Sequence, residues 1–141
     1  MTALQVTVRR PFCAALRLAL PDLDEEGNRA LYGVCASPHY HGHDYLLEVT
    51  VEGPVDPRTG LVVDFLALQG LVEEQLVRPV DHRNLNTDVP FLQGRVPTTE
   101  NLLLAFRERL EPQLPRGLRL LRMRLQESRD HWVELDLSRN P

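Results

Sequence analysis

From Asp44 to Glu52 the chain alternates without a break, with Tyr45, Leu47, Val49 and Val51 on one side of an extended backbone and Glu48, Thr50 and Glu52 on the other. Successive side chains of a strand point to opposite faces, so this stretch predicts a half-buried antiparallel strand, one face on a core and one in water. Such a strand needs partners, and the same period recurs elsewhere. Residues 3–8 (ALQVTV) alternate, Pro11 interrupts, and 12–20 (FCAALRLAL) resumes an apolar run, which predicts two strand segments or one bent strand. Leu121, Met123 and Leu125 alternate with Arg122 and Arg124, a turn falls near Ser128-Arg129-Asp130, and Val133, Leu135 and Leu137 alternate with Glu134 and Asp136. That pattern is a closing hairpin.

Between these strands the period changes. Pro54 to Gly60 reads as a turn, and Asp64 is placed to cap a helix whose apolar residues Phe65, Leu68, Leu71, Val72 and Leu76 follow helical spacing until Pro79. Residues 80–96 lack periodicity and are rich in Asn, Asp and Pro, which predicts a long loop of the kind that often carries function. Pro97-Thr98-Thr99-Glu100-Asn101 is a helix start, and Leu102, Leu103, Phe106 and Leu110 give the following helix its stripe. Residues 21–33 are acidic and turn-rich, a surface loop with room for a short helix. The order strand-strand, helix, helix, strand-strand predicts an α+β domain spanning 1–141, an antiparallel four-stranded sheet with two helices on one face. Its open edges favour an oligomer.

Composition narrows the function. The formal charge is −4, with basic residues scattered, so no concentrated positive face is offered to nucleic acid. All sixteen basic residues are arginine, which excludes a lysine base or Schiff base. Cys13 and Cys35 are too few for a disulfide framework, the N-terminal segment has no signal-like apolar region, and no run approaches the ~20 apolar residues that span a bilayer. A cytoplasmic protein with free thiols and no membrane partner is the expectation.

Three of the five histidines, His39, His41 and His43, occupy alternate positions after Cys35. Imidazoles two residues apart on a strand share a side and can bind one zinc-like ion, although three in a straight strand could not converge. The competing reading is a solvated polar strand entry. A cationic neighbourhood would favour the Cys35 thiolate, whereas Cys13, inside an apolar run, reads as a small buried hydrophobe. Asp81-His82 in the long loop offers the materials of a general acid or base, with an Asx-rich turn as the equal alternative. Glu127, just before the last turn, either anchors a ligand or is solvated.

Together these segments resemble the 6-pyruvoyltetrahydropterin synthase family, which includes the 6-carboxytetrahydropterin synthases of the 7-deazaguanine (queuosine) pathway. The resemblance runs from about Phe12 to Glu134. It is carried by Phe12-Cys-Ala-Ala-Leu-Arg-Leu18, Cys35 with His41-Gly-His43, Asp56-Pro-Arg-Thr-Gly60 leading to Asp64-Phe65, Asp81-His82 with Asn84-Leu85, Thr98-Thr99-Glu100-Asn101, and Gln126-Glu127. The family implies a tunnelling fold whose subunits join into a β-barrel, usually as a hexamer of two trimers. It also implies a pterin substrate, 7,8-dihydroneopterin triphosphate, from which triphosphate is eliminated to give 6-pyruvoyl- or 6-carboxytetrahydropterin.

By this likeness Cys35, Asp81 and His82 form the catalytic proton relay, Glu127 with Thr98 and Thr99 holds the pterin ring, and His41 and His43 bind zinc. The family's third zinc-binding histidine is replaced here by Leu16. An isobutyl group cannot ligate a metal, so zinc is expected to bind weakly or be absent, unless a bend lets His39 substitute. Five residues separate Cys35 from His41, as in the pyruvoyl-forming branch, where the carboxy-forming branch typically has three. The alternative implied by Leu16 is a non-catalytic or redirected pterin-binding paralogue.

Overall fold

The computed structural model describes residues 2–139. Strand β1 (Ala3–Leu16) and strand β2 (His41–Pro54) form a long antiparallel ribbon, in register from Ala3 opposite Pro54 to Leu16 opposite His41. Strand β4 (Arg119–Ser128) pairs with the other side of β2, and β5 (His131–Asp136) folds back on β4 as the expected hairpin. A two-residue strand, β3 (Arg83–Asn84), lies parallel to the end of β1, giving the order β3-β1-β2-β4-β5. The sheet therefore has five strands rather than four. Two residues of β3 carry no period that a sequence could display.

Pro11 does not break β1. The amides of Cys13 and Arg17 bond to side chains of Asp81 and Asn86, on the edge facing away from β2. Odd-numbered residues of β1 thus turn their N–H groups to that edge, and Pro11 is one of them. Its missing N–H costs the β1–β2 ladder nothing, so the strand runs straight through.

Among the described residues three α-helices occur: α1 (Glu25–Tyr32), α2 (Phe65–Val72) and α3 (Thr99–Leu110). The expected two are α2 and α3, while α1 fills the acidic loop, capped by Asp24. Asp64 caps α2 by accepting from the Ala67 amide, and Thr98 caps α3 by accepting from Asn101. After α2 the chain widens into a π turn, Glu73–Val77, closed by the Arg78 amide on the Glu73 carbonyl.

Leu68, Val72 and Leu76 of this segment and Leu102, Leu103, Phe106 and Leu110 of α3 pack on one sheet face against Val8, Phe12, Tyr45, Leu47, Val49, Met123 and Leu125. Phe65 departs from the expected stripe: in the first turn it is 62% exposed, beside the exposed Leu66. The other sheet face is polar, crossed by Arg9–Glu48 and Arg119–Glu52 ion pairs and a Thr7–Thr50 hydroxyl contact. The sheet thus has an apolar, helix-covered face and a charged, open one.

Candidate active site

On the helix-covered face, the register of β1 and β2 sets Leu16 opposite His41, the alanine Ala14 opposite His43, and Phe12 opposite Tyr45. All six side chains share one face by parity. Gly42, between the histidines, lies where a Cβ would come within 3.2 Å of the Ala14 carbonyl oxygen. Glycine lets the two strands close, and the imidazoles come side by side with ring centroids 5.0 Å apart. His39 lies outside this arrangement, exposed in the turn that precedes β2, and Tyr40 completes that turn at a positive φ of 65°.

Glu127 enters from β4. The β4–β5 ladder slips by one residue between Gln126 and Ser128, leaving Glu127 as the unpaired residue of a bulge. Bulges re-aim side chains, and this one sets Glu127 Oε1 2.9 Å from His43 Nε2. The pair is close but out of line for a hydrogen bond, so His43 Nε2 has no hydrogen-bond partner. Both ring nitrogens of His41 and the Tyr45 hydroxyl are likewise buried without partners. Unsatisfied buried polar atoms are rare, and four together mark a place built for a ligand.

Cys35 joins this group from a 3₁₀ turn, Gly33–Ala36, anchored where the Leu18 amide donates to the Cys35 carbonyl. Burial, and then the Glu127 carboxylate, push its thiol pKa up, which keeps the proton on sulfur at neutral pH. Within this chain the charge beside the Cys35 thiol is the negative one of Glu127, so the cationic neighbourhood expected to favour its thiolate is not supplied by these side chains. Burial and the neighbouring His43 hold His41 below the usual histidine value, with Glu127 opposing, so His41 is a neutral imidazole. Burial, Glu127 and Cys35 together raise Tyr45, which remains a phenol.

Asp81 and His82 lie at the free edge of β1 instead. The Cys13 amide donates to Asp81 Oδ1 and the His82 amide to the Cys13 carbonyl, while His82 Nδ1 stands 3.0 Å from Asp81 Oδ1. The Cys13 bond, opposed by burial and reinforced by His82, holds Asp81 below the ordinary carboxylate range. His82 takes a positive φ of 61°, which turns the chain sharply enough for adjacent residues to face each other. An extended backbone would point them apart, so spacing alone could not predict the pair.

One set of three donors has its ligand atoms all within 4.8 Å, and it is Cys13, Asp81 and His82. Among the described residues, Cys35 does not meet Asp81 and His82 in that way, nor do His41, His43 and Glu127 form such a set. Cys13, expected to be a buried hydrophobe, is only half-buried and points to the open face with its β2 partner Asp44. Thr98 uses its oxygen as the α3 cap, Thr99 is buried behind it, and no hydrogen bond joins either to Glu127 among the described residues. Sequence reasoning also missed Tyr45, whose place on the apolar stripe gave no sign that its hydroxyl would be stranded beside Cys35 and Glu127.

A mainly antiparallel sheet backed by two helices, with paired imidazoles and a carboxylate at one end and an Asp–His pair on the outer edge of β1, defines a small α+β protein with an enzyme-like site. The family model described as 6-pyruvoyl tetrahydropterin synthase matches residues 5–138. The 6-pyruvoyl tetrahydrobiopterin synthase of Pongo abelii is 40% identical over 129 residues, 92% of this chain and 88% of that protein. A dihydroneopterin monophosphate aldolase of Pyrococcus furiosus is 42% identical over 96 residues, 68% and 77% of the two chains. The solved 6-pyruvoyl tetrahydropterin synthase of Caenorhabditis elegans superposes with a TM-score of 0.87 at 30% identity, covering 96% of each chain. The chain belongs to the 6-pyruvoyl tetrahydropterin synthase family.

Proposed function

We propose that this protein is a tetrahydropterin synthase that eliminates triphosphate from 7,8-dihydroneopterin triphosphate, giving 6-pyruvoyl- or 6-carboxytetrahydropterin. The observation that carries the reading is the cluster of buried, unpartnered polar atoms on His41, His43 and Tyr45 beside Cys35 and Glu127. The Cys35-to-His41 spacing of five intervening residues favours the pyruvoyl product.

Two side-by-side imidazoles suit a zinc ion, and Leu16, 1% exposed directly across from His41, supplies no third donor. His41 and His43 would therefore hold zinc weakly, two substrate oxygens completing four ligands. Bound there, the ion would polarise the side-chain oxygens and acidify the adjacent C–H. The chain's own groups then move protons. His82, oriented by Asp81 through Nδ1, keeps Nε2 free to accept a proton, and the protonated Cys35 thiol is the matching donor. Glu127, with Thr98 and Thr99, orients the pterin ring by accepting and donating hydrogen bonds.

Donor and acceptor lie on separate patches of one chain, so the relay is completed between copies, Cys35 from one and Asp81–His82 from the next. The open sheet edges, the exposed Val34, Phe65 and Leu66, and the family's barrel support a homo-oligomer, a hexamer of two trimers. No helix among the described residues is long and apolar enough to cross a membrane.

Leu16 favours a second reading, a paralogue that binds pterin without turning over the triphosphate or that has been redirected to another reaction. Mass-spectrometric product analysis with 7,8-dihydroneopterin triphosphate, with and without zinc, separates the two. A tetrahydropterin product establishes the synthase and its mass identifies the branch. Bound but unchanged ligand under both conditions refutes the synthase.

A further inference from the structure

The outer edge of β1 carries a donor set that the proposed synthase reaction does not use as a unit. Cys13 Sγ, an Asp81 carboxylate oxygen and a His82 ring nitrogen lie within 4.8 Å of one another, from two segments 68 residues apart in the chain. Backbone hydrogen bonds hold them there: the Cys13 amide to Asp81 at 3.0 Å and the His82 amide to the Cys13 carbonyl at 2.6 Å. The ligands are therefore fixed to one another before anything binds, which lowers the ordering entropy that a site on loose loops would lose. A cleft of about 600 Å³ opens beside them, lined by Cys13, Gly42, His43, Asp44, His82 and Asn84, and a second, smaller one bordered by Asp81 meets it at Cys13, Asp44 and His82.

We propose that Cys13, Asp81 and His82 form a binding site for a zinc-class divalent metal ion at the outer edge of β1, with a donor set separate from His41 and His43. A soft thiolate, an imidazole and a carboxylate suit zinc or cobalt and do not suit magnesium or calcium, which take all-oxygen shells. Thiolate and carboxylate together balance the charge of a divalent ion. Binding releases the Cys13 thiol proton to solvent as the S–metal bond forms, so affinity rises with pH. Three protein donors leave the fourth tetrahedral position facing the cleft, open to water or a small ligand. His82, 78% exposed, is reached directly from the cleft.

Asp81 and His82 also serve the proposed relay, so a metal held here would withdraw His82 from proton transfer and inhibit turnover; Cys13, which that relay does not use, is the ligand by which the two readings are told apart. Cobalt(II) titration of the intact protein tests it, since a thiolate ligand gives a sulfur-to-cobalt charge-transfer band that imidazole and carboxylate cannot. The band is expected in the unmodified protein, in Cys35→Ser and in a His41→Ala/His43→Ala double variant, and is expected to vanish in Cys13→Ser. A band that survives Cys13→Ser, or that is lost in Cys35→Ser, overturns the proposal. So does the absence of any band at stoichiometric cobalt. Peptide-level thiol alkylation of the unmodified protein gives a check that needs no variant. Zinc should protect Cys13 at least ten-fold more than Cys35, and equal labelling of Cys13 with and without zinc contradicts the site.

Discussion

Leu16 is the residue on which the proposed metal chemistry turns. It is buried, faces His41 across the β1–β2 ladder, and lies on the same side as both imidazoles, so Leu16→His would add a third imidazole beside the other two. Isothermal titration should show zinc affinity rising by at least ten-fold, and unchanged affinity would mean that the backbone holds position 16 too far away. Without metal the same variant should be less stable by about 1–3 kcal/mol, because it strands a polar ring in a site that leucine fills. Glu127 acts at the same scale. Its charge helps to hold the Cys35 proton, so Glu127→Gln should move the midpoint of Cys35 alkylation to lower pH, with no movement if burial alone sets it.

His41 also makes stability depend on pH. Its folded-state pKa is depressed below 6.5, so the unfolded chain takes up a proton first as pH falls. The contribution of neutral His41 is complete above 6.5 and is lost as pH drops through the lower folded value. Denaturant midpoints should therefore fall between neutral pH and about pH 5, and His41→Gln should flatten that part of the curve.

Among the elements, the loop after α2 is held to β1 by more than its two-residue strand. Asn86 accepts from the Arg17 amide and donates to the Arg17 carbonyl, continuing the β1 edge beyond β3. Asn86→Ala should cost about 1–3 kcal/mol in chemical denaturation and should raise hydrogen exchange across 81–86, loosening His82. Local exchange that stays unchanged would show that the Leu85 amide bond to the Ala15 carbonyl suffices. Much at this scale was legible in the sequence because it is local. Alternation marked β2, β4 and β5, and the caps at Asp64 and Thr98 follow from side-chain chemistry within one turn. The unbroken β1 was not legible, since whether Pro11 interrupts depends on which edge its nitrogen faces. The bulge at Glu127 was also hidden, because it exists only relative to β5.

At the scale of the whole molecule, the proposed relay residues are divided between the helix-covered face and the outer edge of β1. The resemblance named Cys35, Asp81 and His82 together, but no spacing rule says whether residues 46 apart meet within a chain or between chains. The structure brings Asp81 and His82 to Cys13 and leaves Cys35 with Tyr45 and Glu127. Cys13 could not have been found from its apolar surroundings, because its partner loop arrives through tertiary packing. An oligomer reconciles the division if each copy lends its free edge to the Cys35 face of the next, as a closed ring of identical interfaces allows.

Intersubunit complementation tests this account most directly. Cys35→Ala and His82→Ala should each fold and each fail to release triphosphate from 7,8-dihydroneopterin triphosphate. After the two are unfolded together and refolded as mixed oligomers, about a quarter of the sites should pair an intact Cys35 with an intact His82, and turnover should return in that proportion. Mixed oligomers as inactive as their parents, beside an active unmodified protein treated in the same way, would contradict a relay shared between copies.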